Sequence, residues 1–375
     1  MYLDWMRGLA ALIMLQGHAF DAWLAPQYRA GEWFWLSQFL GGFPAIIFLF
    51  LVGVSLALVL DRMRQKDATP WAMMQRVVKR GSWILLLAYA YRLEQYLVWY
   101  PAARWSDFFR IDTLNCIGAS SIVIGLCSIP WKTRRHNLIA MASLAALVVL
   151  VTPFVYPVKA GLPDVVLDYL NGNGHPYYFS IFPWVAFALT GMTFGYALLE
   201  ARERRMEARF LSWIVGGGIL ASAIALWMPV FPFLEYGFFD YSLTSPHYVF
   251  LRLGWLAVVL YGAYRWSTRS TGRNWSAMQT MGKASLLVYW VHMDLVYGRP
   301  FNHFSQALDL SGVLRQLVWL IPAMLLLATI RQYAPEWLRY RRAIAECATH
   351  RVVLRNGVCG ECNSLWMESV KPNLD

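Results

Sequence analysis

Charged residues are scarce in this chain: Asp, Glu, Lys and Arg make up 15% of 375 residues, against 58% hydrophobic. That scarcity excludes an ordinary soluble domain, because the apolar residues come in runs of roughly 18 to 22, the length at which a helix crosses a ~30 Å hydrocarbon layer. Cysteine is sparse as well. Five of them are too few for a disulfide scaffold, and Cys116 and Cys127 fall inside an apolar run, where they read as small core residues. No glycine-rich loop of the phosphate-cradling kind is present. Aromatic residues are not scarce: nineteen tryptophans and twenty tyrosines suit the amphipathic belts at two membrane interfaces. The net charge of +11 by itself would point to nucleic acid as a partner. Its distribution excludes that reading, since the basic residues sit in short loops between apolar runs, where they set orientation.

The expected fold is therefore all-α and polytopic, with about ten membrane spans, placed at 5–24, 39–60, 81–100, 112–130, 137–155, 179–199, 210–230, 247–264, 281–298 and 313–331. The first run carries Asp4 and Arg7 and lacks a small-residue cleavage site, so it reads as a retained span rather than a signal. Connections on one side carry only Arg29, Arg104, Arg110, Lys159 and Arg299. The other side carries Arg62, Arg64, Lys66, Arg76, Lys79 and Arg80, then Lys132, Arg134 and Arg135, then Arg202, Arg204, Arg205 and Arg209, then Arg265, Arg269, Arg273 and Lys283. The positive-inside rule puts that side, with both termini, in the cytosol. The one glycosylation sequon, Asn274-Trp275-Ser276, falls on the same side, which favours a bacterial inner membrane. The domain expectation is a membrane domain over 1–335 and a cytosolic tail over 336–375.

In the first span, Asp4, Arg7, Ala11 and His18 share a stripe about 60° wide on a helix turning 100° per residue. His18 lies ~21 Å beyond Asp4 at 1.5 Å per residue, in the outer half of the bilayer, and Asp21 follows one turn later. An ionisable group at that depth marks a pathway or a site unless it is a satisfied interfacial side chain.

The stretch LDWMRGLAALIMLQGH, Leu3 to His18, resembles the opening of the acyltransferase type 3 family, and FLFLVGVSLAL, Phe48 to Leu58, resembles its second segment with Val-Gly-Val where Ser-Gly-Phe is usual. The fuller chain is more similar to a sister group, the bacterial relatives of heparan-alpha-glucosaminide N-acetyltransferase, in RIDTLNCIGAS, FPWVAFALTGMTFGYAL and GKASLLVYWVHMDLVYG. The resemblance implies ten or eleven helices that take an acyl group, commonly from acetyl-CoA in the cytosol, and deliver it to a sugar or glycan on the far side. It makes His18 the catalytic candidate. The heparan enzyme uses another residue in this helix and a histidine shortly after it, whereas the loop Ala25 to Ser37 here has none.

Other polar groups are expected to converge on His18. His18, His175, His247, His292 and His303 map to the outer half or outer loops; His136 and His350 map to the cytosol. His175 belongs to NGNGHPYYF, a flexible loop that reads equally as an acceptor contact or a plain turn. His292 shares a helix face with Tyr289 and Ser285. Arg92 and Glu94 sit inside the third span and need partners, either across helices or in the site. Asp112 and Asn115 open the fourth. Asp21 or Asp112 would orient the His18 ring, and His292 or Tyr289 would donate to the oxyanion, with His18 as general base or as acyl carrier. Tyr289, Arg92, Asn115 and His175 are the expected acceptor contacts. Arg76, Lys79 and Arg80, with Arg134 and Arg135, could bind the phosphates of coenzyme A, although positive-inside topology explains them equally well.

The tail holds Cys347-x-x-His350 and Cys359-x-x-Cys362, soft ligands at zinc-knuckle spacing that would form a closed structural site. A short intervening loop and a basic tail argue for the plain alternative. The expected partners are the bilayer, a sugar or glycan acceptor and, as a homodimer, a second copy of the chain. Two rival readings stay open at this point: a transporter or channel, and a noncatalytic scaffold recruiting partners through its tail.

Overall fold

A computed structural model describes residues 2–155, 161–172, 179–227, 245–269 and 275–349, with side chains through Ala334. The helices are α1 (Tyr2–Trp23), α2 (Glu32–Gly41), α3 (Phe43–Gln65), α4 (Pro70–Trp99), α5 (Trp105–Phe108), α6 (Thr113–Ser128), α7 (Arg134–Val155), α8 (Asp164–Leu170), α9 (Ile181–Glu203), α10 (Glu207–Trp227), α11 (Pro246–Arg269), α12 (Ala277–Lys283), α13 (Ser285–Tyr297) and α14 (Leu310–Thr349). Among the described residues the only strand-like feature is a bridge between Leu24 and Leu308 that ties the end of α1 to the segment before α14. Over the described residues, each of the ten expected runs falls on helix. Five stretches, Glu32–Gln65, Arg134–Val155, Ile181–Glu203, Glu207–Trp227 and Leu310–Ala334, are long and apolar enough to cross a membrane. Outside that set are α6, apolar but short, and α1, α4, α11 and α13, which carry the ionisable groups of the interior.

The outer helices display apolar side chains rather than hiding them: Leu147, Leu150 and Phe154 on α7, Trp213, Ile219 and Leu220 on α10, Val318, Trp319 and Leu326 on α14 are all exposed. In water such a surface would drive association; against lipid tails it costs nothing. Helix contacts inside the bundle follow from small residues that let backbones approach. A Cβ on Gly53 of α3 would lie 1.9 Å from the Ala188 carbonyl oxygen of α9, and one on Gly191 of α9 would lie 2.0 Å from that of Phe50. Gly8 of α1 and Gly282 of α12 make the same reciprocal approach, to Met278 and Asp4.

The basic ends of the helices are tied by charge. Asp61 of α3 is buried and takes both Nε and Nη2 of Arg134 on α7, at 2.7 and 2.9 Å, while Arg134 also bonds Glu203 at the end of α9. Arg64 donates to Tyr196 and to the Ser128 carbonyl, and Ser128 donates to Asn137. Four helices, α3, α6, α7 and α9, are thereby fixed at one end. The backbone of α14 continues as helix across the expected domain boundary at residue 335. His350, Cys359 and Cys362, like His175, lie outside the described residues, as does the side chain of Cys347. Among the described residues no group of three or more His, Cys, Asp or Glu could hold a metal ion.

Candidate active site

Arg7 near the start of α1, Arg80 within α4 and Lys283 at the end of α12 share one cavity wall, while Asp21, Trp99 and Tyr297, at the ends of α1, α4 and α13, share another. Between them lie two cavities of about 550 and 540 Å³. The first is mostly apolar, with Met14, Phe48, Leu51, Val52, Ile84 and Leu286 in its wall, and is basic at its mouth, where Arg7, Arg80 and Lys283 meet Asp4 and Ser55. The second is aromatic and polar: Tyr91, Tyr96, Trp99, Asp21, Arg92, Gln95, Asp107, Arg110 and Asp112 line it. Four residues belong to both walls: His18, Thr113, Phe179 and Tyr289.

His18 is half-buried at this junction. Its Nδ1 lies 2.9 Å from the Tyr297 hydroxyl, which in turn donates to Asp21 Oδ2 at 2.8 Å. Among the described residues its Nε2 has no hydrogen-bond partner. Behind it stands His292, with ring centroids 5.3 Å apart. His292 is fully buried and lines neither cavity. Its Nδ1 lies 2.8 Å from the Val288 carbonyl oxygen, an acceptor only, so Nδ1 carries the hydrogen and the buried Nε2 is an unpartnered acceptor. A neutral His292 in this tautomer has no N–H to offer an oxyanion. The hydroxyls on the shared wall are those of Tyr289 and Thr113.

Asp112 organises the opposite side of the second cavity. Its Oδ1 caps α6, accepting from the Leu114 and Asn115 backbone N–H groups at 2.9 and 3.2 Å, and Asn115 reciprocates through its side chain, completing a capping box. Its Oδ2 pairs with Arg92 at 3.1 Å and accepts a long 3.4 Å bond from Tyr289. Arg92 therefore makes a helix-to-helix pair and lines the cavity at once, while Glu94 turns away to accept from the Trp290 indole. Asn115 is fully buried and donates to Tyr169, whose hydroxyl also bonds Tyr89. Burial lifts the Tyr169 phenol above its usual pKa, so it stays a neutral hydroxyl.

Of the expected catalytic residues, the structure brings His18, Asp21 and Asp112 to cavity walls and sets His292 behind one. Of the expected acceptor contacts, Tyr289 and Arg92 line the second cavity and Asn115 supports it from behind. Of the expected phosphate contacts only Arg80 lines a cavity; Arg76 and Lys79 are exposed and line neither. Arg80 has no carboxylate partner among the described residues, and the charges nearest in effect are those of Arg7 and Arg76. Arg7 is paired with Asp4 at 2.7 Å, so the cations of this wall without a carboxylate partner among the described residues are Arg80 and Lys283, and such charges favour an anion beside them. Sequence reasoning did not single out Tyr297, Thr113, Phe179 or Lys283 as site residues. The signal for Tyr297 was within reach, because it ends the same GKASLLVYWVHMDLVYG segment that supplies Tyr289 and His292.

No curated protein matches the chain. Residues 1–226, which run from α1 through α10 and carry His18, Asp21, Arg92, Asp112 and Thr113, match the family profile described as heparan-alpha-glucosaminide N-acetyltransferase, catalytic. That match covers well over half of the chain, and its all-helical, lipid-facing bundle agrees with a membrane-embedded acetyltransferase: the chain belongs to the heparan-alpha-glucosaminide N-acetyltransferase catalytic family.

Proposed function

We propose that this protein transfers an acetyl group from acetyl-CoA, entering through the basic cavity, to a hydroxyl or amine of a sugar or glycan held in the aromatic one. The observation that carries the reading is the shared wall: two cavities of similar size, one cationic at its mouth and one aromatic and polar, with His18 between them. The apolar length of the first cavity suits the extended arm of a thioester donor, and Arg7, Arg80 and Lys283 suit its phosphates. Tyr91, Tyr96 and Trp99 with flanking carboxylates suit a sugar face and its hydroxyls. In this topology ten helices cross the membrane, the basic ends face the cytosol, and the acceptor side faces outward. The family match favours this chemistry over transport or scaffolding.

In the reaction, His18 Nε2 takes the proton from the acceptor as its oxygen or nitrogen attacks the thioester carbonyl. Tyr289 or Thr113 donates to the oxyanion. Collapse breaks the carbon–sulfur bond, and the departing thiolate recovers the proton from His18. The test is protein in sealed liposomes, with labelled acetyl-CoA on one side and a panel of amino-sugar and glycan acceptors on the other. Label should move to an acceptor with wild-type protein and fall at least 100-fold with His18→Ala. Equal transfer by both proteins would remove His18 from the chemistry, and label held on protein before acceptor is added would replace the direct route with an acyl-histidine.

A further inference from the structure

We infer that Tyr297 is a positioning residue that links Asp21 to His18 and fixes which nitrogen of His18 is free to act as base. The kinetic part of this inference rests on the acyl-transfer reading above; the structural part does not. Asp21 follows His18 by one turn of α1, yet its carboxylate does not bond the imidazole. The connection runs through the phenol of α13, with Nδ1 to Oη at 2.9 Å and Oη to Oδ2 at 2.8 Å. A hydroxyl has one hydrogen. The carboxylate can only accept, so the Tyr297 hydrogen points to Asp21 and its oxygen is left to accept from His18. Nδ1 must then carry the imidazole hydrogen. Nε2 is the bare nitrogen, and His18 lines both cavities.

When Nε2 gains a proton, the imidazolium charge is spread through the Nδ1–H bond to Tyr297 and on to the Asp21 carboxylate, each bond strengthening the next. No proton need leave Tyr297. The arrangement does what a directly bonded carboxylate does in hydrolase triads, where the wrong tautomer costs roughly 10⁴ in rate. Without the phenol oxygen, the neutral imidazole loses the one partner among the described residues that favours hydrogen on Nδ1, and the tautomer with hydrogen on Nε2 becomes populated. That tautomer cannot accept a proton from the acceptor.

Tyr297→Phe isolates this role. It keeps the ring, which packs edge-on to His18 at 5.5 Å, and leaves the separate bond from the Trp23 indole to the Val296 carbonyl that holds α1 to α13. With ¹⁵N-labelled histidine, and the His18 signals assigned by their loss in His18→Gln, wild-type protein should show a protonated Nδ1 and a bare Nε2, and Tyr297→Phe a mixed or reversed pattern. In turnover, Tyr297→Phe should lower kcat about 100-fold with both KM values within twofold, since part of the population keeps the competent tautomer. Asp21→Ala should cost a similar factor alone and almost nothing further in Tyr297→Phe, the mark of residues acting as one unit. An unchanged His18 tautomer in Tyr297→Phe overturns the inference, as does a loss carried by KM or an additive double variant. If wild-type protein acetylates no acceptor, the acyl-transfer reading fails while the nitrogen signals still decide the role of Tyr297.

Discussion

Asp112 offers a quantitative test of how the second cavity is held, because its two oxygens do separate work. Oδ1 caps α6, and Oδ2 faces Arg92 and the Tyr289 hydroxyl. Asp112→Asn keeps the cap, since Asn serves as well as Asp at that position. It replaces Oδ2 by an amide NH₂, so two donor-only groups, the amide and the guanidinium, confront one another, the Tyr289 hydroxyl must turn to accept, and the guanidinium loses its counterion. The two side chains are only 14% and 12% exposed, which puts the loss near the lower end of the range for breaking a buried pair, about 3 kcal/mol. Asp112→Ala adds the lost cap, about 1 kcal/mol more. Arg92→Leu combined with Asp112→Asn removes both charges and retains the cap, so it should recover to within about 1 kcal/mol of wild type. Unfolding in mixed micelles of rising SDS fraction, followed by tryptophan fluorescence, gives the order wild type, double variant, Asp112→Asn, Asp112→Ala. Asp112→Asn within 0.5 kcal/mol of wild type, a margin typical of unengaged surface positions, would refute the assignment of the pair as a stabilising tie between α4 and α6. So would a double variant no better than the single one.

Two further outcomes separate parts of the bundle. Gly53→Ala or Gly191→Ala should destabilise the protein by about 3 kcal/mol, the upper part of the overpacking range, because the added carbon meets backbone rather than a side chain that can turn away; the same micelle titration measures it. Arg80→Gln and Lys283→Gln should each raise KM for acetyl-CoA roughly tenfold or more with the acceptor KM unchanged, the worth of a charge-assisted bond to phosphate, while Arg76→Gln and Lys79→Gln leave both within about twofold; initial rates with each substrate varied decide between the sets.

The long apolar runs made the helices legible, because crossing length and hydropathy are local properties. Ends were less so. The helix of the third run begins at Pro70, not near residue 81, since Thr69 caps it and its first turns carry Gln75, Arg76 and Lys79, which a hydropathy window rejects. The first span shows why a site can be read from one helix only in part. Its stripe of Asp4, Arg7 and His18 does face the cavities, whereas Ala11 packs into the core beside Met281 and Val313, and Met14 takes the cavity-facing place. A helical wheel fixes an angle to within a residue or so and says nothing about the neighbour.

The partner is what decides chemistry here. Either Asp21 or Asp112 was expected to orient the His18 ring, yet the ring bonds Tyr297, 276 residues away from Asp21 in the chain, and reaches Asp21 through it. The reciprocal approach of Gly8 and Gly282, with the bond from the Trp23 indole to the Val296 carbonyl, sets α1 against α12 and α13 in the register that makes this bond. The glycine of the Arg-Gly pair in the first motif thus acts on the site at a distance: it lets α12 come close enough for α13 to bring Tyr289 to the shared wall and Tyr297 to Asp21. The family match ends at residue 226, before α12 and α13. The tyrosine proposed to link Asp21 to His18 is therefore supplied by a segment the match does not cover, although Asp21 lies within it, and the bond between them is read only once the two helices stand side by side.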